Sequence, residues 1–158
     1  MKVLKNYSYN LSYQLLAIIL PIITTPYVTR VFTSSELGSY GYHNSIAAYF
    51  LLAATLGIST YATKEISGHT LDRSKVFWEI YTIQMITSAL ALVLYLVVCF
   101  TIPGMQNPIA YILSISLVSK GLDISWLFQG VEDFKKITIR NITVRIIGVC
   151  SVFLFVKN

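Results

Sequence analysis

The chain has 158 residues and a net charge of +5, and it is 55% apolar but only 12% charged, whereas an average soluble domain is about 25% charged. Twelve basic and seven acidic side chains are too few to cover the surface of a soluble globule of this length. The composition therefore excludes an ordinary cytosolic domain and selects a membrane protein.

The charges are unevenly spread, with none in residues 6–29, 37–63 or 80–119. A bilayer core needs roughly 20 apolar residues per helix, so the first two gaps fit one span each. The third fits two, because Pro103, Gly104, Asn107 and Pro108 supply a turn inside it. The predicted spans cover residues 10–31, 39–61, 77–101, 108–128 and 137–156. In the third, the eleven Leu, Ile, Val and Phe between residues 80 and 100 are worth about −3 to −7 kcal/mol on the insertion scale. The fifth carries Arg140 and Arg145, each costing up to about 3 kcal/mol at the bilayer centre. It inserts if Arg140 snorkels to the headgroups and Arg145 finds water or a partner. The expected fold class is all-α, a polytopic membrane helix bundle of about five transmembrane helices.

Basic residues at the helix ends set the orientation. Lys2, Lys5, Lys64, Arg73, Lys75, Lys135, Lys136 and Arg140 fall on one side, against Arg30 and Lys157 on the other. This places the N-terminus in the cytoplasm. The net positive charge is then that of cytoplasmic loops facing an anionic leaflet, and no nucleic-acid partner is expected. The apolar run after Lys5 is too long for a signal-peptide core and no A-x-A site follows it, so the first span is read as uncleaved. Cys99 and Cys150 fall within spans at no metal spacing and read as lipid-facing or core filler. His43 and His69 lie far apart, no Gly-rich loop follows a strand, and no carboxylate pair has a cleft. No enzyme, catalytic residue, metal or cofactor is expected.

Polar chemistry within the spans remains. Lys120 and Asp123 are i, i+3 neighbours with Ser116 one turn earlier, so they read as one polar face of the fourth helix. They are either a self-neutralised pair bolting that helix to a neighbour or a cavity wall that meets a charged substrate. Arg145 has no acidic residue within four positions. Its counter-charge is a lipid phosphate or diphosphate bound by the guanidinium fork, or Asp123 across a helix interface, or it snorkels. Pro21 and Pro26 loosen the first helix, which ends at Arg30, either an outer-headgroup anchor or a residue of a transport pathway. Tyr42, Ser45 and Tyr49 recur at helical spacing beside His43 and Asn44, as an aromatic belt or a sugar platform.

Certain words of the sequence carry a resemblance. Pro26-Tyr27-Val28-Thr29-Arg30-Val31-Phe32, then Glu36-Leu37-Gly38-Ser39-Tyr40, Leu56-Gly57-Ile58 and Lys64-Glu65-Ile66 resemble the N-terminal region of the polysaccharide-biosynthesis or O-antigen repeat-unit flippases. These belong to the multidrug/oligosaccharidyl-lipid/polysaccharide exporter superfamily. Trp126-Leu127-Phe128-Gln129-Gly130, with Glu132 and Phe134 after it, is similar to the signature at the end of that family's fourth helix. The resemblance covers nearly the whole chain.

It implies transport of an undecaprenyl-diphosphate-linked oligosaccharide across the bacterial cytoplasmic membrane by two helical lobes that rock around a cationic cavity. Arg30 matches the basic residue ending the family's first helix. Lys120, Asp123, Arg140 and Arg145 join it as cavity candidates through burial and charge alone. Family members are far longer, and five spans are one short of a six-helix lobe. The chain is therefore read as a single bundle over residues 1–158, most of an N-terminal lobe, from a fragment or a truncated reading frame. The alternative is a half that assembles with a second lobe on a partner chain. Two other functions stay in view. One is a drug or metabolite exporter of the same superfamily, which would prefer acidic cavity residues. The other is a membrane interaction protein whose buried charges only join helices.

Overall fold

The computed structural model describes residues 2–68 and 72–156; His69 and Lys157, used above, lie outside them. Among the described residues the chain forms α1 (Lys2–Val31), α2 (Ser34–Thr55), α3 (Ile58–Gly68), α4 (Arg73–Thr101), a 3-10 turn (Pro103–Met105), α5 (Pro108–Gly121), α6 (Ser125–Gly130) and α7 (Phe134–Phe155), with no strand. Among the described residues, five stretches are long and apolar enough to cross a membrane: Gln14–Val31, Ser34–Gly68, Arg73–Thr101, Pro108–Gly130 and Phe134–Leu154. The chain is thus an all-α, multi-pass membrane protein with five candidate spans, as its charge gaps predict.

Two of the predicted spans are broken. The second, expected unbroken over residues 39–61, stops at Thr55 and resumes at Ile58. Between them Leu56 and Gly57 take positive φ of 39° and 74°. Glycine adopts this conformation freely, whereas for leucine it costs roughly 1–2 kcal/mol. The fourth, expected over residues 108–128, is interrupted at residues 122–124. There the Asp123 carboxylate accepts the backbone N–H of Ser125 at 3.1 Å, a local bond that competes with helix. This corrects the picture of Lys120 and Asp123 on one helix face. Lys120 lies in the last turn of α5, and Asp123 sits in the non-helical link.

Helix starts follow local chemistry. At the head of α2, Glu36 Oε2 accepts from the backbone N and Oγ1 of Thr33, both at 2.8 Å, while Thr33 Oγ1 accepts from the backbone N of Glu36 at 3.3 Å, a reciprocal cap. Asn107 caps α5 by accepting the N–H of Ile109 at 3.0 Å, with Pro108 at the first helical position.

The chain divides into two compact units. The first comprises α1, the start of α2, and α7. In it α1 stays helical through Pro21 and Pro26 and packs along α7. The Tyr27 hydroxyl donates to the carbonyl of Val156, and the Tyr27 and Phe153 rings lie 4.7 Å apart. Large apolar side chains such as Ile18, Ile22, Val144 and Leu154 remain exposed, as suits helices in contact with lipid.

The second unit runs from the body of α2 to α6, and α4 is its hub. Ile80, Gln84, Ser88, Ala91, Tyr95 and Cys99 are buried along one stripe of α4. Steps of three and four keep them on one face, and small members let neighbouring helices approach closely. Toward the C-terminal end of α4, Ala91, Tyr95 and Cys99 pack with Ala47, Ala54, Met105, Ala110 and Leu117. Toward its N-terminal end, Ile80 packs with Ala62, Ile66 and Trp126. Gln84, Thr87 and Ser88 lie between these apolar clusters, so the unit carries a polar layer with an apolar core on either side.

Candidate functional site

Both helix breaks in the second unit close on this polar layer. A helix that stops leaves carbonyls without partners, and in an apolar environment each must find a donor. The Gln84 amide nitrogen donates to the carbonyls of Lys120 at 3.1 Å, Gly121 at 2.9 Å and Asp123 at 3.0 Å. Two N–H groups thus serve three acceptors. The amide oxygen accepts the indole N–H of buried Trp126 at 2.7 Å. One side chain of α4 therefore fastens the end of α5, the link and the start of α6. One turn on, the Thr87 hydroxyl lies 3.1 Å from the carbonyl of Ala54, near the end of α2. It shares that proton with Ile83 and Gln84 of its own helix.

Between the two breaks is a cleft of about 220 Å3, counting space open to its surroundings, lined by Ala54, Thr55, Ile58, Ser59, Gln84, Lys120 and Asp123. Lys120 Nζ lies 3.4 Å from Asp123 Oδ2, with both side chains partly exposed. The other Asp123 oxygen accepts from the Ser125 hydroxyl. A lysine in the last turn of α5 is favourably placed against the negative end of the helix dipole. The cleft offers an ammonium, a carboxylate and the hydroxyl-bearing residues Thr55 and Ser59, a set able to form charge-assisted hydrogen bonds with a polar or anionic ligand.

Of the residues singled out from sequence, Lys120 and Asp123 meet here. Arg30, Arg140 and Arg145 belong to the first unit. Arg30 is exposed at the end of α1. Arg140 is exposed and donates from Nε and Nη2 to Asn141 Oδ1 at 3.2 and 3.0 Å. Arg145 is half-buried in α7. Just before α7, Asp133 pairs with Lys136 at 2.9 Å. The hydrogen bond from that ammonium holds the Asp133 carboxyl below the usual range. Its contribution is present above ordinary carboxylate pH and fades as pH falls through the lowered value. On α2, Tyr42 and Tyr49 point outward at 53% and 74% exposure, while His43 is 3% exposed.

Gln84 and Thr87 were not among the residues singled out from sequence. A signal existed, since Gln84 is the lone side-chain amide between residues 80 and 100 and stands one turn from Thr87 and Ser88 in an otherwise apolar run. Ser88 itself has a buried hydroxyl without a hydrogen-bond partner among the described residues. A Cβ on Gly121 would come within 3.0 Å of Ser88 Cβ, so the two positions pack closely. Ser88→Ala removes an unsatisfied polar atom, and we expect it to be neutral or to stabilise the chain by up to about 1 kcal/mol. Equilibrium unfolding in micelles measures this, and a clear destabilisation would mean that the hydroxyl has a partner in the membrane.

A family model described as "Polysaccharide biosynthesis protein" matches residues 3–158 of this chain. Two curated relatives carry the name "Putative O-antigen transporter". The one from Escherichia coli (strain K12) is 25% identical over 145 residues, 89% of this chain and 35% of the relative. The one from Shigella dysenteriae is 23% identical over 141 residues, 87% of this chain and 36% of the relative. The chain thus spans about a third of the length of these relatives. No solved structure matches at a significant level.

Proposed function

We propose, from the premise that this chain belongs to the polysaccharide biosynthesis protein family, that it forms part of an exporter of lipid-linked oligosaccharide repeat units. The substrate in this reading is an undecaprenyl-diphosphate-linked oligosaccharide, moved across the bacterial cytoplasmic membrane during surface polysaccharide biosynthesis. The N-terminus lies in the cytoplasm, in keeping with the basic residues at that end of the spans. The names of the two relatives support a transport role.

The observation that carries the reading is the cleft at the paired helix breaks. Interrupted helices within a membrane are tolerated where they are covered by protein or line a water-filled cavity, and such breaks mark substrate sites in transporters. In our reading Lys120 meets the diphosphate, which competes with Asp123 for the ammonium. Arg30, Arg140 and Arg145, in the first unit, are separate candidates for contact with anionic groups of the substrate.

The test is export by the full-length protein in a host that depends on it. A hydrogen bond to a charged group is worth about 1.5–3 kcal/mol, so Lys120→Met and Arg145→Ala should each lower surface glycan about tenfold or more at unchanged membrane insertion. The double substitution Lys120→Leu, Asp123→Ala separates this from a helix-joining role, because it removes both charges and leaves neither uncompensated. Normal surface glycan in that double variant would overturn the cleft as the substrate site.

A further inference from the structure

His43 is buried on α2, eleven residues before Ala54 and so about 16 Å along the helix from the cleft. Both of its ring nitrogens face backbone carbonyl oxygens. Nδ1 lies 2.7 Å from Ser39 O, one turn back on α2, and Nε2 lies 3.2 Å from Gly104 O, in the 3-10 turn that joins α4 to α5.

A neutral imidazole has one N–H and one lone pair, whereas the imidazolium has two N–H groups. With a carbonyl oxygen at each end, the neutral ring satisfies only one contact. At the other, a nitrogen lone pair would face an oxygen lone pair in a buried place where water cannot intervene. The protonated ring donates at both ends. Among described residues, the Gly104 oxygen takes part in no backbone bond of the turn, where Met105, Gln106 and Asn107 donate to Ile102, Pro103 and Met105. His43 is thus the partner that ties this carbonyl to α2.

We propose that His43 is a proton-binding site whose imidazolium form clasps the Pro103–Met105 turn to α2, and that loss of the proton releases one of the two contacts. No acid supplies the counter-charge locally. Residues 37–63, which include the α2 body, and residues 80–119, which include most of α4, the turn and most of α5, contain no charged side chain. The titratable and charged groups of the packed elements are Glu36, in the first turn of α2 and engaged by Thr33, with Tyr40, Tyr42 and Tyr49 on α2, Arg73, Lys75, Glu79, Tyr81, Tyr95 and Cys99 on α4, and Tyr111 and Lys120 on α5. Tyr42 meets the imidazole edge-on at 5.3 Å, and the Tyr95 hydroxyl donates to the carbonyl of Ala110 at 2.9 Å. What holds the charge is therefore carbonyl dipoles, those of Ser39 and Gly104 together with the negative end of α4 just before the turn. The packing of the turn is therefore coupled to the protonation state of this ring. The inference does not rest on the transport reading.

The experiment uses the chain in lipid nanodiscs with 15N-labelled histidine. His69→Gln assigns the two histidine signals, and backbone hydrogen exchange of residues 102–107 is followed from pH 5 to 8 after correction for intrinsic rates. We expect both His43 nitrogens to be protonated at the acid end with the turn protected. On raising pH one nitrogen should lose its proton and the corrected exchange of the turn should rise severalfold. In His43→Gln, whose amide reaches only one of the two carbonyls, the corrected exchange should not change with pH. A single neutral tautomer throughout the range, or a titration that leaves the turn equally protected, would overturn the proposal. Both results are read on the unsubstituted residue, so they stand even if His43→Gln fails to fold.

Discussion

Replacing Gln84 by methionine should destabilise the second unit by about 3–5 kcal/mol. The substitution keeps chain length and apolar volume but deletes the amide that serves the carbonyls of Lys120, Gly121 and Asp123 and accepts from Trp126. Each buried group left without a partner costs about 1–3 kcal/mol, though hydrogen bonds within membranes have measured nearer 0.6–2 kcal/mol. The total therefore falls below the sum of the separate bonds. Gln84→Glu is the sharper variant. Its carboxylate could still accept the indole N–H of Trp126, but it would point lone pairs at three carbonyl oxygens, so it should cost at least as much as methionine. Unfolding in mixed micelles followed by tryptophan fluorescence reports on this, because Trp126 is both the hydrogen-bond partner and 2% exposed. A loss below about 1 kcal/mol in Gln84→Met would show that packing alone holds the break between α5 and α6.

The second large effect is expected at Gly130, where α6 ends against α3. A Cβ there would lie 2.7 Å from both Cβ and Cγ2 of Ile66 and 3.1 Å from the carbonyl oxygen of Thr63. Two of these three atoms are fixed to the backbone or one bond from it, so no rotamer change clears the space. Gly130→Ala should cost about 1–3 kcal/mol, as overpacking does elsewhere. Gly121→Ala should cost less, since its nearest neighbour is Ser88 Cβ at 3.0 Å, and Ser88→Ala should not relieve it because that Cβ remains. Gly148 sits in mid α7 with nothing within 4 Å of the place a methyl group would take, so Gly148→Ala should stabilise by about 0.5–1 kcal/mol through helix propensity alone. The ranking is the prediction, and equal losses at Gly130 and Gly148 would refute the close approach of α3 and α6.

These expectations share one origin. The family words Leu56-Gly57-Ile58 and Trp126-Leu127-Phe128-Gln129-Gly130 were legible as strings, and the structure supplies physical reasons for several of their letters. Gly57 carries one of the two left-handed residues that end α2. Trp126 completes the Gln84 network, and Gly130 lets α6 reach α3. Sequence reasoning could mark these residues as a pattern, but not as contacts, because the partners lie on other helices.

The spans, the all-α class and the turn near Pro103 follow from the sequence by itself. Lipid solvates apolar side chains and not charges, so the length of each charge-free run sets the number of crossings. Tertiary structure decided where those crossings break and what lies at the breaks. Residues 39–61 keep an apolar composition across Leu56-Gly57, and Asp123 within residues 122–124 reads equally well as a charge on a helix face, so composition alone cannot show that a helix has stopped. What makes each break tolerable is a donor from α4, Thr87 for the carbonyl of Ala54 and Gln84 for those of Lys120, Gly121 and Asp123. Those donors are 33 to 39 residues away along the chain, and only packing brings them within hydrogen-bonding distance.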